Sequence, residues 1–158
     1  MPTTPRLAML PLAAACLALV PACGSSSSGA STGAVSSQGP QASGNLVSAR
    51  STSLGTILVD SKGHTIYAFA NDKANVSNCS GVCAADWPPV TVSGTAPSPV
   101  PGVTGTIGSI TRSDGSHQLT VASHPLYTFS GDSNAGQTNG QGINLNGGVW
   151  SVVSPAGA

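Results

Sequence analysis

From residue 54 onward, short runs of apolar and β-branched residues alternate with clusters of Gly, Asp, Asn, Ser and Pro. Runs bounded in this way predict short β-strands joined by turns. We expect a first hairpin over residues 54–70, with its turn at 60–63. One short helix is predicted over Ser80–Asp86, with Ser80 as its N-cap. The further predicted strands are Ile107–Arg112, His117–Val121, Leu126–Phe129 and Val149–Val153.

This pattern is repeated once. The stretch His64–Asp72 aligns with His124–Asp132 at a constant offset of 60 residues, and a tryptophan follows each, at Trp87 and Trp150. The chain contains two Tyr, two Phe and two Trp, and every one falls on a repeated position. The repetition predicts two copies of one β unit, over about 50–92 and 105–153, which bury a shared core. We therefore expect an all-β fold, a small sandwich or barrel-like domain over residues 46–154.

The N-terminal 45 residues have a different character. The apolar run Leu7–Val20 is shorter than the roughly 20 residues that cross a bilayer, and its length is typical of a signal peptide. Val20-Pro21-Ala22-Cys23 then resembles a bacterial lipobox, which implies a signal peptide over residues 1–22 and a lipidated Cys23. An ordinary secretory signal is the alternative. Residues 24–45 contain eight Ser and five Gly without any charge, which predicts a disordered tether.

Composition narrows the classes of function. Only 6% of the 158 residues are charged, and the formal net charge is zero. A nucleic-acid partner is not expected, because such binders need a basic surface. The sequence also contains no Glu, and neither a nucleophile motif, a zinc-protease motif nor a phosphate-binding loop stands in it. A non-enzymatic protein is therefore expected.

The repeated stretches resemble a known family. Tyr67-Ala68-Phe69-Ala70-Asn71-Asp72 and Tyr127-Thr128-Phe129-Ser130-Gly131-Asp132 each fit the pattern Y-x-[FWY]-x-x-D. That pattern is typical of bacterial secreted-repeat lipoproteins of unknown function, and the order of the flanking motifs agrees over nearly all of 50–153. The resemblance implies an envelope lipoprotein with a twofold repeated β unit, and it implies no reaction.

The motif residues have a structural and a functional interpretation. Alternation along a strand places Tyr67 and Phe69 on one face, opposite Ile66 and Ala68. Their rings, with those of the second copy, would then dominate a small core. Alternatively, the rings form a ligand platform with an acidic rim. The six residues concerned are Tyr67, Phe69, Asp72, Tyr127, Phe129 and Asp132.

Cysteine and histidine supply the other candidates. An exported protein meets an oxidising environment, so Cys79 and Cys83 are expected to form a disulfide, with a redox couple or a soft-metal site as alternatives. His64 and His124 occupy equivalent positions and are candidate metal or haem ligands, with His117 as a third. No cofactor is predicted, because two exposed turn histidines are a weak basis for one.

Together these features predict a lipid-anchored protein on the extracytoplasmic side of a bacterial cell membrane. Its partners would be the membrane, through the anchor, and an unidentified envelope ligand or protein. A binding or structural role is expected. The alternative is a redox, metal-handling or haem-handling accessory lipoprotein. A more remote alternative is a hydrolase that uses Asp72 and Asp132 as paired carboxylates.

Overall fold

The computed structural model describes residues 46–158. The signal peptide, the acylation site at Cys23 and the tether predicted above lie outside these residues. Short strands and one short helix make up the regular structure of the described part. The elements are β1 (Val47–Thr52), β2 (Gly55–Asp60), β3 (Tyr67–Phe69), α1 (Val82–Asp86), β4 (Thr91–Val92), β5 (Ile107–Thr111), β6 (His117–Val121), β7 (His124–Pro125), β8 (Asn144–Leu145) and β9 (Gly148–Val152).

The strands pair in several antiparallel sheets. β1 pairs with β2, β9 lies between β3 and β8, and β6 lies between β4 and β5 and also pairs with β7. Within residues 46–158 the sheets do not close into a barrel. The all-β prediction is confirmed, and so is the short helix beside the Cys79–Cys83 pair.

Three local predictions are corrected. The first hairpin is β1–β2, not 54–70, because β3 leaves β2 after one bridge between Val59 and Thr65 and pairs with β9. The helix begins at Val82 with Gly81 as N-cap, since the Ser80 side chain makes no capping hydrogen bond. The segment predicted as the strand Leu126–Phe129 holds only bridges at Tyr127, to Tyr67 and Pro89.

The two units have the same backbone arrangement. Leu58 and Ile66 of the first unit form a ring with Val153 of the second, in which Leu58 N–H donates to Val153 O, Val153 N–H to Ile66 O, and Ile66 N–H to Leu58 O. A matching ring joins Leu119 and Leu126 of the second unit to Val90 of the first, with Leu119 N–H donating to Val90 O, Val90 N–H to Leu126 O and Leu126 N–H to Leu119 O. The residue that closes each ring comes from the other unit and stands three positions after a Trp, Val153 after Trp150 and Val90 after Trp87. Five of these six residues are fully buried, and Val90 is 9% exposed.

The units meet at their motif strands. Tyr67 N–H donates to Tyr127 O at 2.8 Å, and Tyr127 N–H donates to Tyr67 O at 3.0 Å. This reciprocal pair is the hydrogen-bonded pair of an antiparallel ladder, and it relates the two units by an approximate twofold rotation.

The alternation along β3 divides the core into two parts. Ile66 and Ala68 face an aliphatic cluster, whereas Tyr67 and Phe69 face an aromatic cluster. The face assignment made from the sequence is therefore confirmed. The aliphatic cluster also contains Val47, Leu58, Val90, Val92, Val100, Leu119, Val121, Leu126 and Val153.

Leu119→Ala tests the aliphatic cluster. Leu119 is fully buried, so truncation leaves a cavity, and we expect the free energy of unfolding to fall by about 2–5 kcal/mol in urea unfolding experiments. Leu145→Ala is the matched control, because Leu145 is 40% exposed and should change stability by less than about 0.5 kcal/mol. Equal losses in the two variants would contradict this description of the core.

Candidate functional site

The repeated aromatic residues form one continuous stack. Phe69 stacks on Trp150 at 4.3 Å between ring centroids, Trp150 on Trp87 at 3.9 Å, and Trp87 on Phe129 at 4.2 Å. The two indoles are almost parallel, at 1°. Each Phe thus stacks on the Trp of the other unit, so all three contacts of the stack join the two units.

The tyrosines close the sides of this stack. Tyr67 meets Trp87 edge-on at 5.4 Å, and Tyr127 meets Trp150 edge-on at 5.1 Å. Both tyrosines are 0% exposed. The ligand-platform hypothesis requires an accessible ring face, and neither Tyr67 nor Tyr127 provides one.

The motif carboxylates bind the tyrosines across the unit boundary. Tyr67 Oη donates to Asp132 Oδ2 at 2.6 Å, and Tyr127 Oη donates to Asp72 Oδ2 at 2.6 Å. Each phenol is therefore satisfied by the aspartate of the other unit. A buried hydroxyl without a partner would cost about 1–3 kcal/mol, so the crossed bonds are needed once the phenols are buried.

Two asparagines complete the arrangement. The backbone N–H of Asn78 donates to Asp72 Oδ1 at 2.6 Å, and that of Asn139 donates to Asp132 Oδ1 at 2.9 Å. Their side-chain amides donate to Asn71 O and Gly131 O. Sequence reasoning missed both residues. Asn78 and Asn139 are 61 residues apart, one more than the offset of 60 between the two motifs, and this spacing could have identified them as equivalent.

The surroundings of the two tyrosine hydroxyls differ. Tyr67 Oη also accepts from Gly140 N–H at 3.2 Å, and a Cβ at Gly140 would lie 2.8 Å from the Tyr67 ring. Tyr127 Oη instead meets Ser77 Oγ at 2.7 Å. Arg112 donates to that same Ser77 Oγ at 2.9 Å. The two tyrosines are therefore alike in their bond to an aspartate and differ in the second polar contact of the hydroxyl, which is Gly140 N–H for Tyr67 and Ser77 Oγ for Tyr127.

Burial changes the acidity of these groups. It raises the pKa of the Tyr67 and Tyr127 phenols above the ordinary value, and the adjacent Asp132 and Asp72 raise them further. Burial also raises the pKa of Asp72, against the opposing effect of the hydrogen bonds from Asn78 and Tyr127. The phenols therefore act as hydrogen-bond donors over the whole physiological range.

Cys79 and Cys83 form a disulfide, with their Cα atoms 5.2 Å apart. Both residues are buried in the aromatic cluster, and α1 contains Cys83. The helix ends immediately before Trp87, whose N–H donates to Cys83 O at 2.8 Å. The covalent link thus fixes the turn that delivers Trp87 to the stack.

The three histidines lie in different surroundings. His64 Nδ1 is 3.3 Å from Asp60 Oδ2, His117 Nδ1 is 3.3 Å from Thr111 Oγ1, and His124 lies near Asp72. His124 and Asp72 line a cavity of about 290 Å³. Residues 46–158 contain no group of three or more His, Cys, Asp or Glu side chains placed to hold a metal ion.

Comparison with known families identifies the class of protein. The family described as a secreted repeat of unknown function matches residues 48–91 and again 108–154, which together exceed half of the chain. The protein belongs to this family of secreted repeats. The suspected family is thereby confirmed, and membership places the protein outside the cytoplasm.

Neither the curated proteins nor the solved structures contain a match to the chain. No helix within residues 46–158 is long and apolar enough to cross a bilayer.

Alkaline titration tests the burial of the phenols. The raised pKa values mean that the unfolded chain loses its tyrosine protons at lower pH than the folded protein does, so stability falls as pH rises past about 10. We expect the folded protein to show no tyrosinate absorbance at pH values where the unfolded chain is already ionised, and tyrosinate to appear together with unfolding. The urea-unfolded chain, as control, should titrate near 10. Tyrosinate formation near pH 10 with the fold intact would contradict buried phenols.

Asp72→Asn tests the electrostatics of the carboxyl. The folded state holds the Asp72 proton more tightly than the unfolded chain, so this contribution to stability is present at low pH and is lost as pH rises through the folded pKa. We expect the free energy of unfolding of the native protein, relative to the variant, to fall as pH rises above about 4, the ordinary pKa of an aspartate in an unfolded chain.

The control is Asp114→Asn, because hydrogen bonds from Ser116 lower the pKa of Asp114. Its contribution is present above the unfolded pKa and is lost as pH falls, so the pH slope should have the opposite sign. Slopes of the same sign in the two variants would refute the assignment.

Proposed function

We propose that this secreted-repeat protein is a lipid-anchored, non-enzymatic binding module of the bacterial cell envelope. The observation that carries the proposal is that all six motif residues bond to one another or stack on the tryptophans of the domain. Tyr67, Tyr127 and the two motif aspartates satisfy one another, and the phenylalanines stack on the tryptophans. The motif residues therefore hold the two units together, and the surface of the domain remains available for partners.

The contacts of Asp72 and Asp132 favour this role over hydrolysis. In each carboxylate, one oxygen accepts from a tyrosine and the other from an asparagine backbone N–H. A general acid or nucleophile must reach its substrate, whereas these groups hold the interior of the domain together.

The sequence before the domain supports the anchor. Val20-Pro21-Ala22-Cys23 is similar to a lipobox, and an uncharged Ser- and Gly-rich stretch joins it to residue 46. Two acyl chains on one cysteine suffice for stable anchoring. A domain attached in this way would stand clear of the membrane surface on a tether of 22 residues, 24–45, with an r.m.s. span on the order of 25 Å.

Replacement of Cys23 tests the anchor. In a bacterial host, we expect the native chain in the membrane fraction, with a diacylglyceryl group on Cys23 in the mass spectrum. Cys23→Ser should release the protein from the membrane, or leave it with an uncleaved leader. Cys16→Ser is the matched control, because Cys16 lies within the apolar leader and its loss should leave fractionation unchanged. Soluble secreted protein with an unmodified Cys23 would refute the anchor.

A further inference from the structure

A polar cavity of about 390 Å³ lies between the segment 75–80 and the end of the β5–β6 hairpin. We call it the Arg112 cavity. Its walls carry hydroxyl, amide and guanidinium groups together with the disulfide, and the motif residues do not line it. Polar side chains that line it include those of Asn75, Ser77, Ser80, Arg112 and Ser113.

Arg112 is the charged group of this cavity, and its side chain is only 6% exposed. It donates from Nη1 to Ser77 Oγ at 2.9 Å and to Gln118 Oε1 at 2.5 Å, and from Nη2 to Cys79 O at 2.6 Å. All three acceptors are neutral. A guanidinium has five N–H donors, so two remain beyond these three bonds.

The nearest carboxylates compensate this charge only partly. Asp114 Oδ2 is 3.9 Å from Arg112 Nε, outside hydrogen-bond distance, and its side chain is 63% exposed. Asp72 interacts electrostatically with Arg112, but Tyr127 and Ser77 lie between the two charged groups. The Asp72 carboxylate accepts a hydrogen bond from Tyr127. Within residues 46–158, Nε has no hydrogen-bond partner. A buried cation is normally paired and hydrogen-bonded with an anion; here the ion pair with Asp114 is long, and no carboxylate within residues 46–158 accepts a hydrogen bond from the guanidinium.

The other unit forms the same tyrosine–aspartate bond without an arginine at the equivalent position. The position 60 residues earlier is Thr52, whose hydroxyl bonds within its own turn, to Gly55 O and Leu54 N–H. Tyr67 Oη accepts a hydrogen bond from Gly140 N–H, whereas Tyr127 Oη contacts Ser77 Oγ, which in turn accepts from Arg112. The Tyr67–Asp132 bond nonetheless has the same length as the Tyr127–Asp72 bond. The Arg112 cavity is therefore an addition to one side of an approximately symmetric domain.

We propose that the Arg112 cavity binds a small oxyanion, a carboxylate or a phosphate, with Arg112 as its main attachment point. The guanidinium supplies charge and planar donors suited to such groups, and Ser80, Ser113 and the amide of Asn75 supply further donors at the rim. This inference rests on the proposed binding role and gives it a ligand class.

The test uses the full chain, in detergent if it is membrane-bound and directly if it is secreted, so its outcome does not depend on the anchor. Acetate and inorganic phosphate are titrated at constant ionic strength with chloride as the balancing anion. Binding is followed by the arginine Nε–H resonances in a ¹⁵N spectrum, and the two probes separate a carboxylate site from a phosphate site. We expect a saturable shift of the Arg112 signal by at least one probe.

Two variants assign the shift to the cavity. Ser113→Asp places a carboxylate at the exposed rim without removing any bond of Arg112, so we expect affinity to fall about tenfold or more with an unchanged fold. Arg112→Lys keeps the charge and loses the planar fork, and a similar loss is expected. Arg50→Gln is the matched control, because Arg50 is the exposed arginine of the β1–β2 hairpin and should leave affinity unchanged.

The proposal is overturned if neither probe produces a saturable shift. It is also overturned if Ser113→Asp binds as tightly as the native chain, or if the shift depends on Arg50. None of these results would bear on the anchor, which the Cys23 experiment tests separately.

Discussion

Two buried phenols determine how this domain is built. Tyr67 and Tyr127 lie inside an aromatic core where water cannot satisfy their hydroxyls, and each finds its acceptor on the opposite unit. A crossed pair of this kind orients the units more strictly than apolar contact alone, because a hydrogen bond weakens steeply with angle and distance. The reciprocal backbone bonds between the same two tyrosines fix the register, so that ring, backbone and carboxylate agree on one geometry.

The rest of the interior follows from that geometry. Once the two motif strands are paired, Trp87 and Trp150 meet face to face, and each phenylalanine covers the outer face of one indole. The opposite faces of the same strands pack against aliphatic side chains, where two rings of three backbone hydrogen bonds hold the closing strands. A small domain with few charges thus gains two separate cores from alternation along one strand in each unit.

The sequence was informative where side-chain type limits the conformation. The duplicated aromatic residues, the strand His117–Val121 and the disulfide all follow from local signals, and the structure contains each of them. The strand β1 was missed because an exposed edge rich in Ser, Thr and Arg lacks the apolar alternation that predicts a strand. The crossed partners of the aspartates were missed for another reason. A repeat shows which residues are equivalent, but it does not show whether each copy bonds within itself or to the other.

The bonding of each aspartate to the tyrosine of the other unit has a further consequence. Each carboxylate accepts a hydrogen bond from the tyrosine of the other unit. One unit alone would therefore bury a phenol without an acceptor, unless it associated with a second molecule. Fusing two copies into one polypeptide makes that encounter intramolecular, at an effective concentration in the millimolar range for a short connection. In chains with an even number of such units, every tyrosine can bond to an aspartate of a neighbouring unit. In a chain with an odd number, one unit would lack this partner within the chain.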